Sequence, residues 1–469
     1  MVQEIGTRRE LFVDHCLIDR MEGATLELHH PVSAGVALWF DEPWARPSAG
    51  YGTVLLDRGR YRFYYRKTLD VAGSDDSVHQ VTCYAESGDG ITWHKPDLGL
   101  YEVAGTRENN VVWAGLGPTS HNFAPFVDGR PGVPPDQRYK ALAGTQTTGL
   151  LGFVSPDGLH WRPLQEAPLL PSVEGAYRYD SQNVAFWSSH EGCYACYYRS
   201  WREEVRTISR STSADFLHWS PGEAMEFGET PLEHLYINQT QPYYRAPHLY
   251  LALAARFMLG RKVLSDEEGE RYQVGAHRGV GYWQDCSEVV LLTSRGGNRY
   301  DRTFMEAFVR PGPDRHNWVS RSNYPARGVV PTNPGPDGVE REMSLYVMRH
   351  NQQPTAHLER LVLRVDGFAS LHGPYAGGEM ISRPFRFEGR ALTFNYATGA
   401  AGHVCVELMD ESQAPIAGFS LQDADPLIGD EIERVVSWHG QTDVSRLAGQ
   451  AVRLRVQLKD ADVYSFRFC

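Results

Sequence analysis

The chain has 469 residues, enough for one large core or for a large and a small domain. Its composition, 42% hydrophobic, 12% aromatic and 22% charged with no extended low-complexity segment, argues against global disorder. A net charge of −12 argues against a duplex nucleic-acid binder, which needs basic surface to neutralise phosphates, and fits a neutral substrate with acids available for chemistry.

From the N-terminus, residues 1–19 carry Arg8, Arg9, Glu10 and Asp14 and lack the apolar run of a secretory signal. No stretch approaches the ~18–20 apolar residues of a membrane helix. The seven cysteines are odd in number and scattered, which reads as a reduced, cytoplasmic protein. Short alternating segments bounded by Gly, Pro, Asp and Asn follow, and helical periodicity is almost absent. They group into five blades, at about 40–100, 108–170, 178–225, 230–312 and 318–374, the first forty residues being free to pair with the last blade. A long insertion, 258–284, interrupts the fourth. In the third, Cys193-Tyr-Ala-Cys196 lies inside a strand pattern with no second pair or nearby His, so small core residues are expected rather than a metal or redox site. From about 380, Leu392, Phe394, Tyr396, Val404, Val406, Leu408, Val452, Leu454, Val456 and Leu458 alternate strictly, as in a β-sandwich.

A recurring turn ties the blades together. Ser87-Gly-Asp-Gly-Ile-Thr-Trp93, Ser155-Pro-Asp-Gly-Leu-His-Trp161 and Ser213-Ala-Asp-Phe-Leu-His-Trp219 all read S-x-D-x-x-x-W. Eroded copies follow at Ser294-Arg-Gly-Gly297, with Tyr300 in the Trp position, and at Arg364-Val-Asp-Gly-Phe368. Asp-Gly turns tightly because Asp bonds its own backbone and Gly accepts positive φ; the aromatic is expected to pack between sheets. The expectation is an all-β chain: a five-bladed β-propeller over 1–374 and a β-sandwich accessory domain over 375–469.

A propeller places its function in the central funnel, and polar residues before the inner strands line it. Those positions carry Glu42 and Trp44, His121 and Asn122, Asp180, Gln182 and Asn183, then Glu233, Tyr236, Asn238 and Gln239, and finally Arg321 and Asn323. Amides and carboxylates bond sugar hydroxyls and aromatic faces stack on the ring, while paired carboxylates can cleave a glycosidic bond. Asp180 is expected as nucleophile or base, Glu233 as acid and Asp285, at the start of a strand, as their partner; Arg349 is a further substrate-binding candidate. Asp89, Asp157 and Asp215 are turn residues. No G-x-G-x-x-G, P-loop, G-x-S-x-G or His-rich metal spacing is present, so no cofactor or metal is expected, nor a nucleic-acid or membrane partner.

The chain resembles the five-bladed propeller glycoside hydrolases of families 32, 43 and 68, and more closely a group of bacterial proteins labelled only as glycosyl-hydrolase-like. The resemblance rests on Leu11-Phe-Val-Asp14, Cys83-Tyr-Ala-Glu-Ser-Gly-Asp-Gly90, His121-Asn-Phe123, Asp180-Ser-Gln-Asn183, Arg245-Ala-Pro-His248, Asp366-Gly-Phe368 and Gly377-Gly-Glu379. It implies the propeller fold of those enzymes; with a closed funnel that admits one end of a chain, the expected function is a glycoside hydrolase acting on a furanoside or short oligosaccharide. Trp39-Phe-Asp-Glu-Pro43 keeps the W-x-x-acid-P of family 32, with Glu42 at the nucleophile position, whereas that family's R-D-P and E-C motifs are missing. A non-catalytic carbohydrate-binding propeller is one alternative. A glycoside phosphorylase is another, needing cationic groups such as Arg321, Arg349 or Arg256 beside the acids.

Overall fold

The computed structural model describes residues 2–70, 79–115, 117–275 and 281–469. Two compact units emerge: Pro31–Val362, and Met1–His30 together with Leu363–Cys469.

The first unit is a five-bladed β-propeller. Blade 1 runs Gly50–Asp57, Arg60–Thr68, Gln80–Ser87 and Val111–Trp113. Blade 2 runs Ala124–Val127, Tyr139–Ala143, Leu151–Ser155 and Arg162–Pro163, and blade 3 Val184–Ser188, Cys193–Arg202, Val205–Ser213 and Glu223–Ala224. Blade 4 has three strands, Gln241–Tyr243, Ala246–Met258 and Cys286–Ser294, and its outer edge is reduced to single bridges, Thr293 with Asp301 and Val289 with Val309. Blade 5 takes its inner edge from Tyr324–Pro325 and Val330–Thr332, then Glu342–Arg349 and His357–Arg364, and its outer strand from Val32–Trp39. The ring is thus closed by a strand from the beginning of the chain.

Two boundaries differ from the sequence reading. The outer strand of blade 1, Val111–Trp113, lies in a segment assigned there to blade 2. Residues before 31 leave the propeller altogether: Gln3–Gly6 pairs with Phe385–Phe387, Arg9–Leu11 with Val452–Phe468, Ile18–Glu22 with Gly378–Ser382 and Thr25–Leu28 with Ala369–Gly373. The fifth turn copy goes with them, since buried Asp366 accepts a hydrogen bond from Ser465 Oγ at 2.6 Å, inside the second unit. Composition could not separate these strands, because both units are built from the same alternating segments.

The S-x-D turns form as their chemistry requires. Ser155 Oγ accepts from Gly158 N at 2.9 Å, while Asp157 Oδ1 accepts from Leu159 N and His160 N at 2.8 and 2.9 Å. The same pattern holds at Ser87/Asp89 and Ser213/Asp215. At the third turn Phe216 occupies the glycine position with φ of 71° and fills a core shared by blades 2 and 3. Trp161 packs edge-on against Tyr64 of blade 1, whose hydroxyl donates to Gly158 O at 2.9 Å. Consecutive tyrosines show why the strands read as unbroken apolar runs. Tyr64 faces the core shared with blade 2, and Tyr65 the core shared with blade 5. Tyr197 and Tyr198 divide likewise between blades 4 and 2. Each blade is covered on both faces, so both sides of its strands are buried.

In the second unit one ten-stranded sheet encloses a single apolar core running from Ile5 to Phe468. Leu392–Asp410 and Val452–Phe468 pair antiparallel along nearly their whole lengths, with a register shift between Thr398 and His403. Trp438 is fully buried in that core and donates its indole N–H to Val406 O at 2.8 Å.

Candidate active site in the propeller funnel

All five blades contribute to one cavity of about 240 Å³. Blade 1 supplies Tyr51, Arg66 and Gln80, and the segment leading into blade 2 supplies His121. Asp180 comes from the approach to blade 3, Tyr236 and Tyr282 from blade 4, and Arg321, Tyr324, Met348, Asn351 and Gln352 from blade 5. Antiparallel pairing explains the set. Inner strands start at the funnel, second strands end there and third strands start there again, which brings Gly50 opposite Arg66 and Thr68 opposite Gln80. The volume is below the ~300–1,000 Å³ of pockets for drug-sized ligands, so it suits one end of a substrate.

Asp180 is the one carboxylate among the described lining residues. Its backbone is held from both sides. Asn122 Nδ2 donates to Tyr179 O and Ser181 O at 2.9 and 2.6 Å, and Asn183 Nδ2 donates to the same two carbonyls at 2.9 Å. Tyr179, at φ of 66°, makes the bend that presents the carboxylate. Asp180 Oδ2 accepts from Arg199 at 2.5 Å and from the Tyr177 hydroxyl at 3.0 Å, and Oδ1 lies 3.5 Å from His121 Nε2. Burial pushes this carboxyl up, but the His121 hydrogen bond and the Arg199 charge outweigh it and hold Asp180 well below the usual carboxylate range. His121 is pulled down to about 4 by burial and by the Arg66 charge, so it is neutral at pH 7. Its Nε2 faces Asp180, and its Nδ1 lies 2.9 Å from Gln80 Oε1 and 3.2 Å from the Arg66 guanidinium.

Tyrosines and guanidiniums form the opposite wall. The guanidinium carbons of Arg199, Arg206 and Arg321 lie 4.8, 5.4 and 5.8 Å from the centre of the Tyr236 ring. Burial raises the Tyr236 phenol, but the Arg321 and Arg199 charges more than offset it and lower its pKa below the ordinary value. Burial pushes the neighbouring Tyr51 phenol up instead. Arg321, at φ of 65°, donates to the Tyr282 hydroxyl at 3.2 Å and has no carboxylate within 4.0 Å among the described residues.

Of the residues expected in the funnel, Asp180, His121, Tyr236 and Arg321 line this cavity and the others lie elsewhere. Glu233 is held by Arg256 at 2.9 Å and Arg302 at 2.7 Å, and Asp285 accepts from Gly260 N at 2.7 Å. Three acids facing one cavity is therefore corrected to one. Glu42 is buried between Lys67 and Lys95, each at 2.9 Å, with the Tyr65 hydroxyl at 2.6 Å. Trp44 packs on the core shared by blades 5 and 1. Gln182, Gln239 and Asn323 clamp different blades together, while Asn238 braces its own loop. Gln182 Nε2 donates to Thr53 Oγ1 at 2.9 Å, and Gln239 Nε2 donates to Gln182 Oε1 and Pro325 O at 2.6 and 2.8 Å. Asn238 Oδ1 accepts from Thr240 N at 3.0 Å, and Asn323 Nδ2 donates to Ser287 O and Asn317 O at 2.8 and 3.0 Å. Arg349 is tied to Glu359 at 2.5 Å and to Asn323, and Arg256 to Glu233 and Glu288, which leaves Arg321 as the cavity's member of the three arginines named for a phosphate. Sequence reading missed Tyr51, Arg66, Gln80, Arg199, Tyr282, Asn351 and Gln352; the ends of second strands and starts of third strands were the available signal.

No family model matches the chain, and no curated protein matches it. Solved structures similar to it include an N-acetylgalactosamine deacetylase from F. plautii in complex with blood group B trisaccharide, with 11% identity over 73% of this chain and 96% of that one and a TM-score of 0.46. A second is the catalytic domain of a Coprinopsis cinerea family 62 α-L-arabinofuranosidase, with 11% identity, 72% and 98% coverage and a TM-score of 0.40. A third, a Bacillus subtilis family 43 arabinoxylan arabinofuranohydrolase in complex with cellotetraose, has 11% identity, 90% and 95% coverage and a TM-score of 0.39.

Proposed function

We propose that the propeller unit is a carbohydrate-active enzyme that cleaves a terminal glycosidic bond in the funnel cavity. The observation that carries this reading is Asp180, a carboxylate kept ionised by Arg199 and His121 in a cavity to which all five blades contribute. A fixed negative charge there suits the oxocarbenium-like transition state of glycoside cleavage. Tyr236, its phenol acidified by Arg321 and Arg199, is the proton donor to the leaving oxygen, in place of Glu233. As the C1–O bond breaks, the phenol proton passes to the departing oxygen; a water oxygen then bonds to C1 and its surplus proton returns to the Tyr236 phenolate.

Arg321 favours a second reading. A guanidinium in the cavity wall with a tyrosine hydroxyl as its hydrogen-bond partner retains donors for an oxyanion, as in a phosphorylase that uses phosphate in place of water. The test is a panel of aryl glycosides and short oligosaccharides, incubated with and without inorganic phosphate, using the wild type and Asp180→Asn. Release of free sugar lost in Asp180→Asn supports hydrolysis, and sugar 1-phosphate formed only with phosphate supports the second reading. Binding without turnover would identify a carbohydrate-binding propeller instead, and turnover retained in Asp180→Asn would remove that residue from the chemistry.

A further inference from the structure

We propose that Asp314, His316 and His350 form a binding site for a divalent first-row transition-metal ion such as Zn²⁺, beside the loop residues Asn351 and Gln352 that line the funnel cavity. One ligand atom from each of the three residues lies within 4.8 Å of the others, and this is the one such group among the described residues. His316 Nδ1 is 2.9 Å from Asp314 Oδ1, and His350 Nε2 is 2.9 Å from Asp314 Oδ2. Ligands around one tetrahedral ion with bonds of ~2.0–2.1 Å stand about 3.3 Å apart, so the three side chains are gathered near the spacing that one ion needs.

The surroundings orient the donors. His350 Nδ1 is 2.9 Å from Thr355 Oγ1, the outer hydrogen bond that fixes which ring nitrogen faces a metal. His316 is stacked between Tyr272 and His350, with ring centres 4.0 and 4.9 Å apart. His350 sits at φ of 52°, a conformation held by Gln353 N donating to His350 O at 3.1 Å and by Asn351 N donating to Ser322 Oγ at 2.9 Å. Two imidazoles and one carboxylate are the donor set of borderline ions, not of Mg²⁺ or Ca²⁺, which prefer all-oxygen sites. Binding displaces any proton on the two ligating nitrogens into solvent, and water completes the coordination.

The position gives the ion a consequence. Asn351 and Gln352 line the cavity, and His350 directly precedes them. Gln353 Nε2 donates to His316 O at 2.8 Å, and Gly275 N from the blade 4 insertion donates to Gln352 O at 2.9 Å. A metal linking residues 314, 316 and 350 therefore pins this wall of the cavity, whatever reaction the cavity performs.

Calorimetric titration of ZnCl₂ into the chelator-treated full chain tests the proposal, using the wild type, His316→Ala, Asp314→Asn and His350→Asn, the last because Asn tolerates positive φ. The expected result is one Zn²⁺ per chain in the wild type, affinity at least tenfold weaker in each variant, and no uptake of Mg²⁺ at the same concentration. Melting temperatures measured without metal show whether the half-buried His316 can be removed with the fold intact. No uptake at micromolar Zn²⁺, equal uptake of Mg²⁺, or unchanged affinity in folded His316→Ala and Asp314→Asn would overturn it.

Discussion

Replacing Glu42 by Gln tests whether this acid serves structure or chemistry. Its carboxylate is 5% exposed and its partner Lys67 is fully buried, 2.9 Å away. Burial alone would raise the Glu42 pKa, but the charges of Lys67 and Lys95 carry it from an ordinary 4.5 down to about 2. At ~1.4 kcal/mol per pH unit that drop corresponds to about 3 kcal/mol in favour of the folded state. Burial pulls Lys67 below its own ordinary value even with Glu42 beside it, so the pair as a whole contributes less. Removing only the carboxylate leaves a buried ammonium without a counter-charge, which costs roughly 3–5 kcal/mol. Urea denaturation followed by tryptophan fluorescence measures this, since Trp44 and Trp93 pack on the same core. Glu42 is a group with a depressed folded pKa, so the gap between wild type and variant should be full above pH 4.5 and close as the pH falls through about 2. Adding Lys67→Met should recover most of the loss. A cost below about 1 kcal/mol, or no recovery in the double variant, would refute the reasoning.

Asp157→Asn should weaken one turn by on the order of 1 kcal/mol and leave turnover per folded molecule unchanged, as melting temperature and initial rates will show. Arg321→Gln should raise KM for phosphate, or for a substrate carrying an anionic group, at least tenfold while neutral aryl glycosides are affected less; equal effects on both would contradict an anion-binding role. Trp438→Ala should cost roughly 3–5 kcal/mol through the cavity it opens and the acceptor it leaves at Val406. Denaturation monitored by near-ultraviolet circular dichroism will report that loss, and a cost under about 1 kcal/mol would mean the core can collapse around the gap.

The turn repeat made the propeller legible because Ser, Asp and the aromatic act within seven residues of chain, where sequence alone sets the geometry. Asp180, His121, Tyr236 and Arg321 could be located for a related reason: each precedes an inner strand, and those starts face the axis. The same rule overreached at Asn122, Asn183, Gln182 and Gln239: the amides of Asn122, Gln182 and Gln239 are consumed by groups of other blades, and that of Asn183 by carbonyls of its own segment. Which amide faces the cavity and which faces the next blade is decided by packing between segments far apart in sequence. Arg66 and Arg199 escaped notice because each looks like an ordinary strand residue until pairing places its strand end at the funnel. The Asp314-Arg-His316 pair carried no metal signal alone; its third member stands more than thirty residues further on.

The second unit is sewn from segments on either side of the propeller in sequence, and this orders events during synthesis. The strands at Gln3–Gly6, Arg9–Leu11, Ile18–Glu22 and Thr25–Leu28 emerge before the propeller, yet their partners begin at Ala369. At ~5–20 residues per second, the early strands wait some tens of seconds with their edges unpaired. Once the propeller has folded in between, the ends of a very long loop have been brought together in advance, and the closure entropy has been met by the propeller's own stability. The ring should therefore fold before the strands of residues 3–28 find their partners.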